Sequence, residues 1–229
     1  MPVGFRWVRG HVRAERALVE RFAAVPVAIV SDNMNRMFAG GADLRPMHAC
    51  EGGSGGGLAG TALTVLTRPG DNLVIHKAID VAEPGDVIVV DAGGDTTSAV
   101  VGELIARHAQ VRGVAGFVIN GAIRDLDAFR TGSFPIFATG VTHRGPYKDG
   151  PGEIGVPVSI GGMVIHAGDI VIGDADGVLA VPRAEAKAIL DLAEAQQAKE
   201  AETLRQIEAG AWDRRWVDEM LKARGFTEE

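Results

Sequence analysis

The clearest pattern of hydrophobic and polar positions lies between residues 103 and 119. Over Glu103–Val111 the apolar positions recur at spacings of three and four residues, which predicts an amphipathic helix ending at Arg112. The continuous apolar run Val114–Ile119 is short and bounded by glycines, so it predicts a buried parallel strand that Gly121 ends. A helix followed at once by a buried strand is typical of an α/β fold.

The same patterns predict further elements on both sides of this pair. Val87–Asp91 is the clearest other buried strand, and the turn-forming residues Pro84, Gly85 and Asp86 introduce it. Further predictions are helices at 13–24, 27–37 and 72–81, strands at 61–66 and 135–139, a flexible glycine-rich loop at 51–57, a polar loop at 140–155 and an all-β passage at 156–181. We therefore predict one α/β domain of the α/β/α type over residues 1–182, with a β-rich second half, and a helical C-terminal extension over residues 183–229.

Two acidic residues and an arginine flank the predicted helix and strand. Glu103 opens the helix, while Arg124 and Asp125 directly follow the strand. Because ligands in open α/β sheets bind beyond the carboxyl ends of the strands, Arg124 and Asp125 are expected at the ligand-binding rim. The helix start at Gly102–Ile105 offers backbone N–H groups that lack partners within the helix and can bind an anion. These features together predict a site.

The residue types at this site suit a divalent metal and a small acid. The Asp125 carboxylate is a hard oxygen ligand for Mg²⁺ or Mn²⁺, ions that keep several waters and leave places for substrate oxygens. Glu103 can join through one of those waters. The planar guanidinium of Arg124 matches a carboxylate and can stabilise an enolate oxygen, so the set fits a 2-oxo acid. From these residues alone, a surface Arg-Asp ion pair beside an unrelated glutamate remains the alternative.

An acid followed about twenty residues later by Arg124 and Asp125 resembles the signature of the RraA-like family. This family includes the class II 4-hydroxy-4-methyl-2-oxoglutarate/4-carboxy-4-hydroxy-2-oxoadipate aldolases and the regulator of ribonuclease activity A. The resemblance covers roughly Val25 to Pro182 and is carried by the segments AIVSDNMNR, LAGTALTV, HKAIDVAEPGDVIVVDAGG, GFVINGAIRD and PVSIGGMVIHAGDIVIGDADGVLAVP. It therefore spans most of the chain.

The resemblance implies roles for individual residues. In the aldolases of this family the aspartate after the arginine binds the divalent metal, the arginine contacts substrate, and a Gly-acid-Leu-Leu segment binds substrate through backbone amides. These roles fall on Asp125, on Arg124, and on Gly102, Glu103, Leu104 and Ile105. This chain departs from the pattern at Glu103, where aspartate is frequent, and at Ile105, which replaces leucine; both changes keep the chemistry and leave substrate choice open.

The resemblance also implies an activity and an assembly. It predicts a divalent-metal-dependent lyase that cleaves a 4-hydroxy-2-oxo acid to pyruvate and a second oxo compound, with oxaloacetate decarboxylation as a side activity. Family members are trimers or hexamers with active sites at subunit interfaces, which implies a homo-oligomer here. The alternative is a non-catalytic regulator that binds a ribonuclease, as one branch of the family does. The intact acid, arginine and aspartate favour the enzyme.

Composition and net charge limit the class of protein and its cellular location. The chain has 229 residues, 46% of them hydrophobic, and a net charge of −7, which argues against a general nucleic-acid binder. No signal peptide or membrane-spanning stretch is recognised. The single cysteine, Cys50, excludes an internal disulfide and fits a reducing cytoplasm. Its neighbourhood offers no base, so a catalytic thiol is not expected there.

Other residues are weaker candidates. His76 is a candidate for proton transfer or pocket lining, and Lys77 raises the rival Schiff-base aldolase, which needs a desolvated lysine. Asp32 is within possible reach of the site, although helix capping or surface exposure is favoured. We predict a supporting role for Asp91 and Asp95 at the rim, and a cap or specificity loop that contains His143, Arg144, Tyr147 and Lys148. At Asp174 and Asp176 we predict a turn rather than a metal pair. On the tail, Trp212 and Trp216 predict a docking face.

Overall fold

The computed structural model describes residues 3–37, 40–49 and 57–227. The strands are β1 (Phe5–Trp7), β2 (Arg45–Pro46), β3 (Leu58–Thr67), β4 (Asp86–Asp91), β5 (Ala99–Val101), β6 (Gly116–Ile123), β7 (Ile136–Val141), β8 (Gly152–Ile154), β9 (Val158–Ile160), β10 (Met163–Ile165), β11 (Ile170–Asp174) and β12 (Gly177–Val181). The helices are α1 (Arg16–Phe22), α2 (Val27–Asp32), α3 (Leu73–Val81), α4 (Glu103–Val111), α5 (Leu126–Arg130), α6 (Ala186–Glu208) and α7 (Arg215–Ala223). Cys50 and most of the predicted glycine-rich loop lie outside the described residues.

One large mixed sheet organises the chain. Its strands follow the order β1-β8-β3-β4-β6-β7-β2, and β3, β4, β6 and β7 are parallel neighbours. Strand β5 pairs in parallel with the end of β6, while β11 pairs antiparallel with the first half of β3 and β12 pairs antiparallel with β11. Strands β9 and β10 form a separate antiparallel pair. The predicted α/β class with a β-rich second half is confirmed.

The central strands are buried on both faces, which is why they read as continuous apolar runs. On β4, Ile88 and Val90 pack into the cluster that includes residues of α3, α4 and α5. Val87 and Val89 point the other way, into the cluster that contains residues of β9 and β10. Successive side chains point to opposite faces of a strand, so one apolar run contributes to the hydrophobic cores on both faces of the sheet. A third cluster joins α1, α2 and the start of α6 to β11 and β12.

Two predicted boundaries in the sheet are wrong. Strand β6 does not end at Gly121 but continues to Ile123, with a register shift between Ile119 and Ala122. A bulge of this kind lets the strand pass a glycine and changes its direction without ending it. The predicted polar loop at 140–155 is also wrong at its end, because Gly152–Ile154 forms β8 between β1 and β3.

The chain forms two compact units, residues 1–193 and residues 194–229. The first turns of α6 belong to the first unit, where Ala186 and Leu190 are buried, so the predicted division at residue 182 stays a prediction. In the second unit α7 buries none of its residues. The spacing of four residues between Trp212 and Trp216 predicts one shared helix face, and this prediction is wrong, because Trp212 precedes α7 and its ring lies under the Arg214 guanidinium. Over the described ranges, no helix is both long and apolar enough to cross a membrane.

Candidate active site

The pairing of β5 with β6 explains why residues far apart in sequence meet. The two strands are parallel, with Val101 opposite Ile123, so their carboxyl ends lie side by side. The backbone N–H of Arg124 donates to the carbonyl of Val101 at 3.0 Å. The next residues on each strand are therefore neighbours: Gly102, which precedes α4, and Arg124 with Asp125, which precede α5. The register of β5 and β6 therefore brings the residues of the predicted site together at the rim of the sheet.

Asp125 connects the two helix starts. Its Oδ2 accepts a hydrogen bond from the backbone N–H of Glu103 at 3.0 Å, so this side chain caps α4 from another element. The residue has φ 62° and ψ 39°, a left-handed conformation that aspartate adopts more readily than most side chains. The side chain is 44% exposed, and no hydrogen bond from the described residues reaches Oδ1. One carboxylate oxygen is therefore fixed, and the other is open to a ligand.

Gly102 is required by the close packing of this site. A Cβ atom at this position would lie 2.5 Å from Asp125 Oδ2 and 3.0 Å from both Cγ and Nε of Arg124. Its φ of −137° is accessible to any residue, so the requirement is for space and not for backbone freedom. The missing side chain is what lets the carboxylate and the guanidinium approach the start of α4.

Arg124 forms a loose ion pair with Asp125 and no hydrogen bond. Its Nε is 3.8 Å from Asp125 Oδ2, and both side chains are a little under half exposed. This separation is too long for a hydrogen bond, so the guanidinium keeps its donors for another partner. A Cβ at Gly145 would lie 3.2 Å from Nη1 of Arg124, so the loop between β7 and β8 packs against the guanidinium.

The first turn of α4 supplies backbone donors. The N–H of Ala106 bonds to the carbonyl of Gly102, and the N–H of Glu103 is taken by Asp125. Among the described residues no partner is found for the N–H groups of Leu104 and Ile105, which face the helix N-terminus where an anion is stabilised. Leu104 is 83% exposed, a large apolar side chain in water beside the site.

The donor set fits a hydrated divalent metal. Asp125 offers one unengaged carboxylate oxygen, and the half-exposed Glu103 carboxylate lies on the adjoining helix turn, 3.4 Å from the Arg107 guanidinium. Within the described ranges no group of three or more His, Cys, Asp or Glu side chains could enclose an ion. Mg²⁺ and Mn²⁺ bind through one or two carboxylates and complete their shells with water and substrate, so one such carboxylate is enough to start a site.

A second aspartate, Asp71, is fully buried and supports the loop that packs against Arg124. Asp71 Oδ2 accepts the N–H groups of Asp149 and Gly150 at 2.8 and 2.9 Å, and Oδ1 accepts the N–H of Leu73. Burial works against its charge, but these three backbone donors and Arg68 outweigh burial and lower its pKa below the ordinary value. Sequence reasoning missed this residue, because Asp149 and Gly150, the partners that give it its role, lie 78 and 79 positions away.

Other predicted candidates lie in structural roles. Asp32 is exposed and pairs with Arg36 at 2.7 Å, which agrees with the surface exposure predicted for it. Asp174 accepts the N–H of Asp176 at 2.9 Å in the turn between β11 and β12, so the predicted turn is confirmed, and it also accepts the N–H of Val27 at the start of α2 at 2.9 Å. Asp91 Oδ1 accepts the Asn120 amide at 2.9 Å, next to the bulge of β6.

The two candidates on α3 differ in what surrounds them. Lys77 is exposed, so the desolvation that a Schiff-base lysine needs is absent in this chain. Partial burial lowers the pKa of His76, and the neighbouring charges of Lys148 and His108 lower it further. These effects favour the neutral imidazole, and the part of His76 in proton transfer stays a prediction.

Comparison with known proteins shows the family of this chain. The family model RraA-like, described as Aldolase/RraA, matches residues 27–180. A provisionally named 4-hydroxy-4-methyl-2-oxoglutarate aldolase from Halalkalibacterium halodurans is 38% identical over 85% of this chain and 90% of that protein. The 4-hydroxy-4-methyl-2-oxoglutarate aldolase of Thermus thermophilus is 34% identical over 49% of this chain and 68% of that protein.

A solved structure shares the fold. It is that of an unusual member of the RNase ES inhibitor RraA protein family from Streptomyces coelicolor, with a TM-score of 0.74 and 27% identity over 84% of this chain and 98% of that chain. The family model covers well over half of the residues, and a relative above 30% identity is matched over nearly its whole length. This chain belongs to the RraA-like family.

Proposed function

We propose that this protein is a divalent-metal-dependent class II aldolase. Its substrate is a 4-hydroxy-2-oxo acid, and its products are pyruvate and a second oxo compound. The observation that carries the proposal is the meeting of Arg124, the open oxygen of Asp125 and the free N–H groups of α4 at one rim. The names of two relatives, both 4-hydroxy-4-methyl-2-oxoglutarate aldolases, support the same chemistry.

Binding and orientation come from the chain itself. The N–H groups of Leu104 and Ile105 bind the C1 carboxylate of the substrate at the positive end of the helix dipole. Arg124 donates to the 2-oxo oxygen, where negative charge develops as the reaction proceeds. The Asp125 carboxylate would hold a divalent ion, which would supply electrophilic polarisation of the 2-oxo acid.

The proton and electron movements follow from this placement. The Glu103 carboxylate takes the proton of the C4 hydroxyl group through a bridging water and later returns it. The C3–C4 bond breaks, C4 becomes a carbonyl carbon, and the electron pair moves to the 2-oxo oxygen, where Arg124 stabilises it. Protonation at C3 then gives pyruvate. In oxaloacetate the C4 carboxylate is attached to C3. Loss of CO₂ breaks the C3–C4 bond and moves the electron pair to the same 2-oxo oxygen, so we propose oxaloacetate decarboxylation as a side activity.

Assembly and location belong to the same proposal. The exposed apolar side chains of α7, which include Trp216 and Met220, support a homo-oligomer, a trimer or a hexamer. The single cysteine supports a cytoplasmic location. Sedimentation velocity measures the first directly, and a monomer at micromolar concentration would remove this part of the proposal.

The test of the activity uses Asp125→Ala and a matched control, Asp127→Ala, in which an exposed aspartate two positions along is lost. Pyruvate release is measured from 4-hydroxy-4-methyl-2-oxoglutarate and from oxaloacetate, with Mg²⁺ and with chelator. We expect turnover that needs Mg²⁺, falls about a thousandfold in Asp125→Ala and is unchanged in Asp127→Ala. Full metal-dependent turnover by Asp125→Ala would contradict the mechanism.

The likeness to a member of the RNase ES inhibitor RraA protein family favours a second candidate function, binding to a ribonuclease. Such a regulator needs a surface and not the open carboxylate oxygen of Asp125. A pull-down with a ribonuclease of the RNase E type, run beside the pyruvate assay, separates the two functions. Ribonuclease capture without pyruvate release would favour the regulator.

A further inference from the structure

Residues 3–15 form an N-terminal arm that runs along the sheet from one end of its parallel strands to the other. The strand of the arm, β1, pairs in parallel with β8, which pairs with the carboxyl end of β3. Farther along the arm, Arg13 Nη1 lies 2.5 Å from Oδ1 of Asp86, the first residue of β4. The arm lies outside residues 27–180, which match the family model. It therefore connects the end of the sheet that carries the candidate site with the opposite end.

A buried ion pair attaches the arm to β8. Arg6 Nε lies 2.5 Å from Oε1 of Glu153, whose side chain is only 8% exposed. Glu153 is the middle residue of β8 and lies opposite Arg6 in the pairing of the two strands. A buried carboxylate that loses its cation is strongly unfavourable. Arg6 is therefore needed for β8 to keep Glu153 in this place.

The neighbouring residue of the arm, Phe5, covers Gly150 just before β8. A Cβ at Gly150 would lie 3.2 Å from Cε2 of Phe5, and Gly150 has a left-handed φ of 72°. The N–H of Gly150 donates to Asp71 Oδ2 at 2.9 Å. Phe5 is itself 54% exposed, so its ring adds little to the core of the protein. The backbone at Gly150 is thus held by a carboxylate and covered by an aromatic ring.

The segment that ends at Gly150 begins beside Arg124. A Cβ at Gly145 would lie 3.2 Å from Arg124 Nη1, so this backbone packs against the guanidinium. The carbonyl of the preceding residue, Arg144, accepts the N–H of Ala99 in β5 at 2.8 Å. The segment is therefore fixed by β5 at one end and by the contacts of Gly150 at the other. A segment this short passes a displacement at Gly150 on towards Arg124, and its attachment to β5 limits the size of that displacement.

From these contacts we propose that the N-terminal arm positions the active site. Phe5 and Arg6 hold Gly150 and β8 in place, and the short segment before β8 in turn holds the Arg124 guanidinium where the 2-oxo acid binds. The inference rests on the proposed function and adds two positioning residues to it. Phe5 and Arg6 act through Arg124 and not on the reacting atoms.

The test uses variants of the full-length protein at both ends of the arm. Arg6→Gln removes the cation beside Glu153, and Arg6→Lys keeps its charge. The matched control is Arg13→Gln, because Arg13 also pairs at 2.5 Å with a buried acid, but at the opposite end of the sheet. Phe5→Ala removes a half-exposed ring and no charge, so it gives the same comparison should Arg6→Gln fail to fold.

The first measurement is hydrogen–deuterium exchange of the amides of Asp149 and Gly150, which donate to Asp71. We expect both amides to exchange at least about tenfold faster in Arg6→Gln and in Phe5→Ala, because local opening becomes easier. Arg6→Lys should restore most of the protection, and Arg13→Gln should exchange as the wild type does. No acceleration in the first two variants, or the same acceleration in Arg13→Gln, would overturn the inference.

The second measurement is pyruvate release from 4-hydroxy-4-methyl-2-oxoglutarate with Mg²⁺ on the same samples. Arg124 stabilises charge that develops in the transition state, so its displacement lowers kcat more than it raises KM. We expect kcat to fall about tenfold in Arg6→Gln and in Phe5→Ala and to stay at the wild-type value in Arg13→Gln. Faster amide exchange with normal kcat would show that the segment does not position Arg124, and would overturn the inference.

Failure of the proposed function gives a different result. Absence of pyruvate release from the wild type would reject the aldolase. Binding of pyruvate with Mg²⁺, measured by calorimetry, then takes the place of kcat. Weaker binding in Arg6→Gln than in Arg13→Gln would uphold the positioning of Arg124 by the arm, whereas equal or absent binding would overturn it.

Discussion

Two aspartates in this chain have opposite environments, Asp71 and Asp125. Asp71 has no exposed surface, and both of its carboxylate oxygens accept backbone N–H groups. Asp125 is 44% exposed, and the described residues engage only one of its oxygens. A carboxylate whose oxygens are all bound fixes the backbone around it, whereas one with an open oxygen can also hold a ligand. The same residue type therefore serves structure in one place and chemistry in the other.

After the loss of the Asp125 carboxylate itself, the largest effect is expected from closing the space around it. In Gly102→Ala the new methyl group would lie 2.5 Å from Asp125 Oδ2, so the carboxylate and Arg124 must move away from α4. We expect kcat/KM for pyruvate release to fall about a hundredfold, because misplaced catalytic groups lose transition-state contacts. Thermal unfolding should change little. Gly57→Ala, where the nearest atom is at an ordinary 3.5 Å, is the control. Normal kinetics in Gly102→Ala would show that this packing does not position the site.

A somewhat smaller effect, on stability, is expected at the buried aspartate. In Asp71→Asn an NH₂ group replaces one carboxylate oxygen, so either the N–H of Leu73 or the N–H groups of Asp149 and Gly150 lose their acceptor. We expect the free energy of unfolding in urea to fall by about 2 kcal/mol, the usual penalty for leaving buried donors unpaired. The exposed Asp127→Asn serves as the control and should unfold as the wild type does. An unchanged unfolding curve for Asp71→Asn would refute the structural role.

The smallest effect is expected in how the free energy of unfolding changes at acidic pH. Because the folded-state pKa of Asp71 is lowered below the ordinary 3.8, its charge stabilises the folded state above that pH. This contribution is lost as the pH falls through the lowered pKa. We therefore expect the stability difference between wild type and Asp71→Asn to be constant above pH 3.8 and to shrink below it. Urea unfolding at a series of pH values measures this difference. A difference that grew on acidification would have the wrong sign.

Local patterns predicted the elements that carry the site. The bounds of α4, Glu103–Val111, follow directly from apolar spacing and the terminating Arg112 and Gly113. The apolar run at Val87–Asp91 was sufficient to predict β4, because a strand buried on both faces has no polar alternation to obscure it.

The missed features depend on contacts distant in sequence. Strand β8 lies in a glycine-rich segment of three residues and exists because β1 and β3 pair with it. The left-handed backbone of Asp125 and its hydrogen bond to Glu103 depend on the register of β5 and β6. The turn residues Pro69 and Gly70 were the available signal for Asp71, and they could not indicate the loop that it holds.

The most direct test of the contrast between the two aspartates is metal binding without turnover. Mn²⁺ is titrated into wild type, Asp125→Ala and Asp127→Ala in the presence of pyruvate, and bound ion is followed by electron paramagnetic resonance. The open carboxylate oxygen of Asp125 predicts that wild type and Asp127→Ala bind Mn²⁺, while Asp125→Ala binds it at least about a hundredfold more weakly. Equal affinity in all three proteins would contradict the assignment of Asp125 as the metal-binding residue.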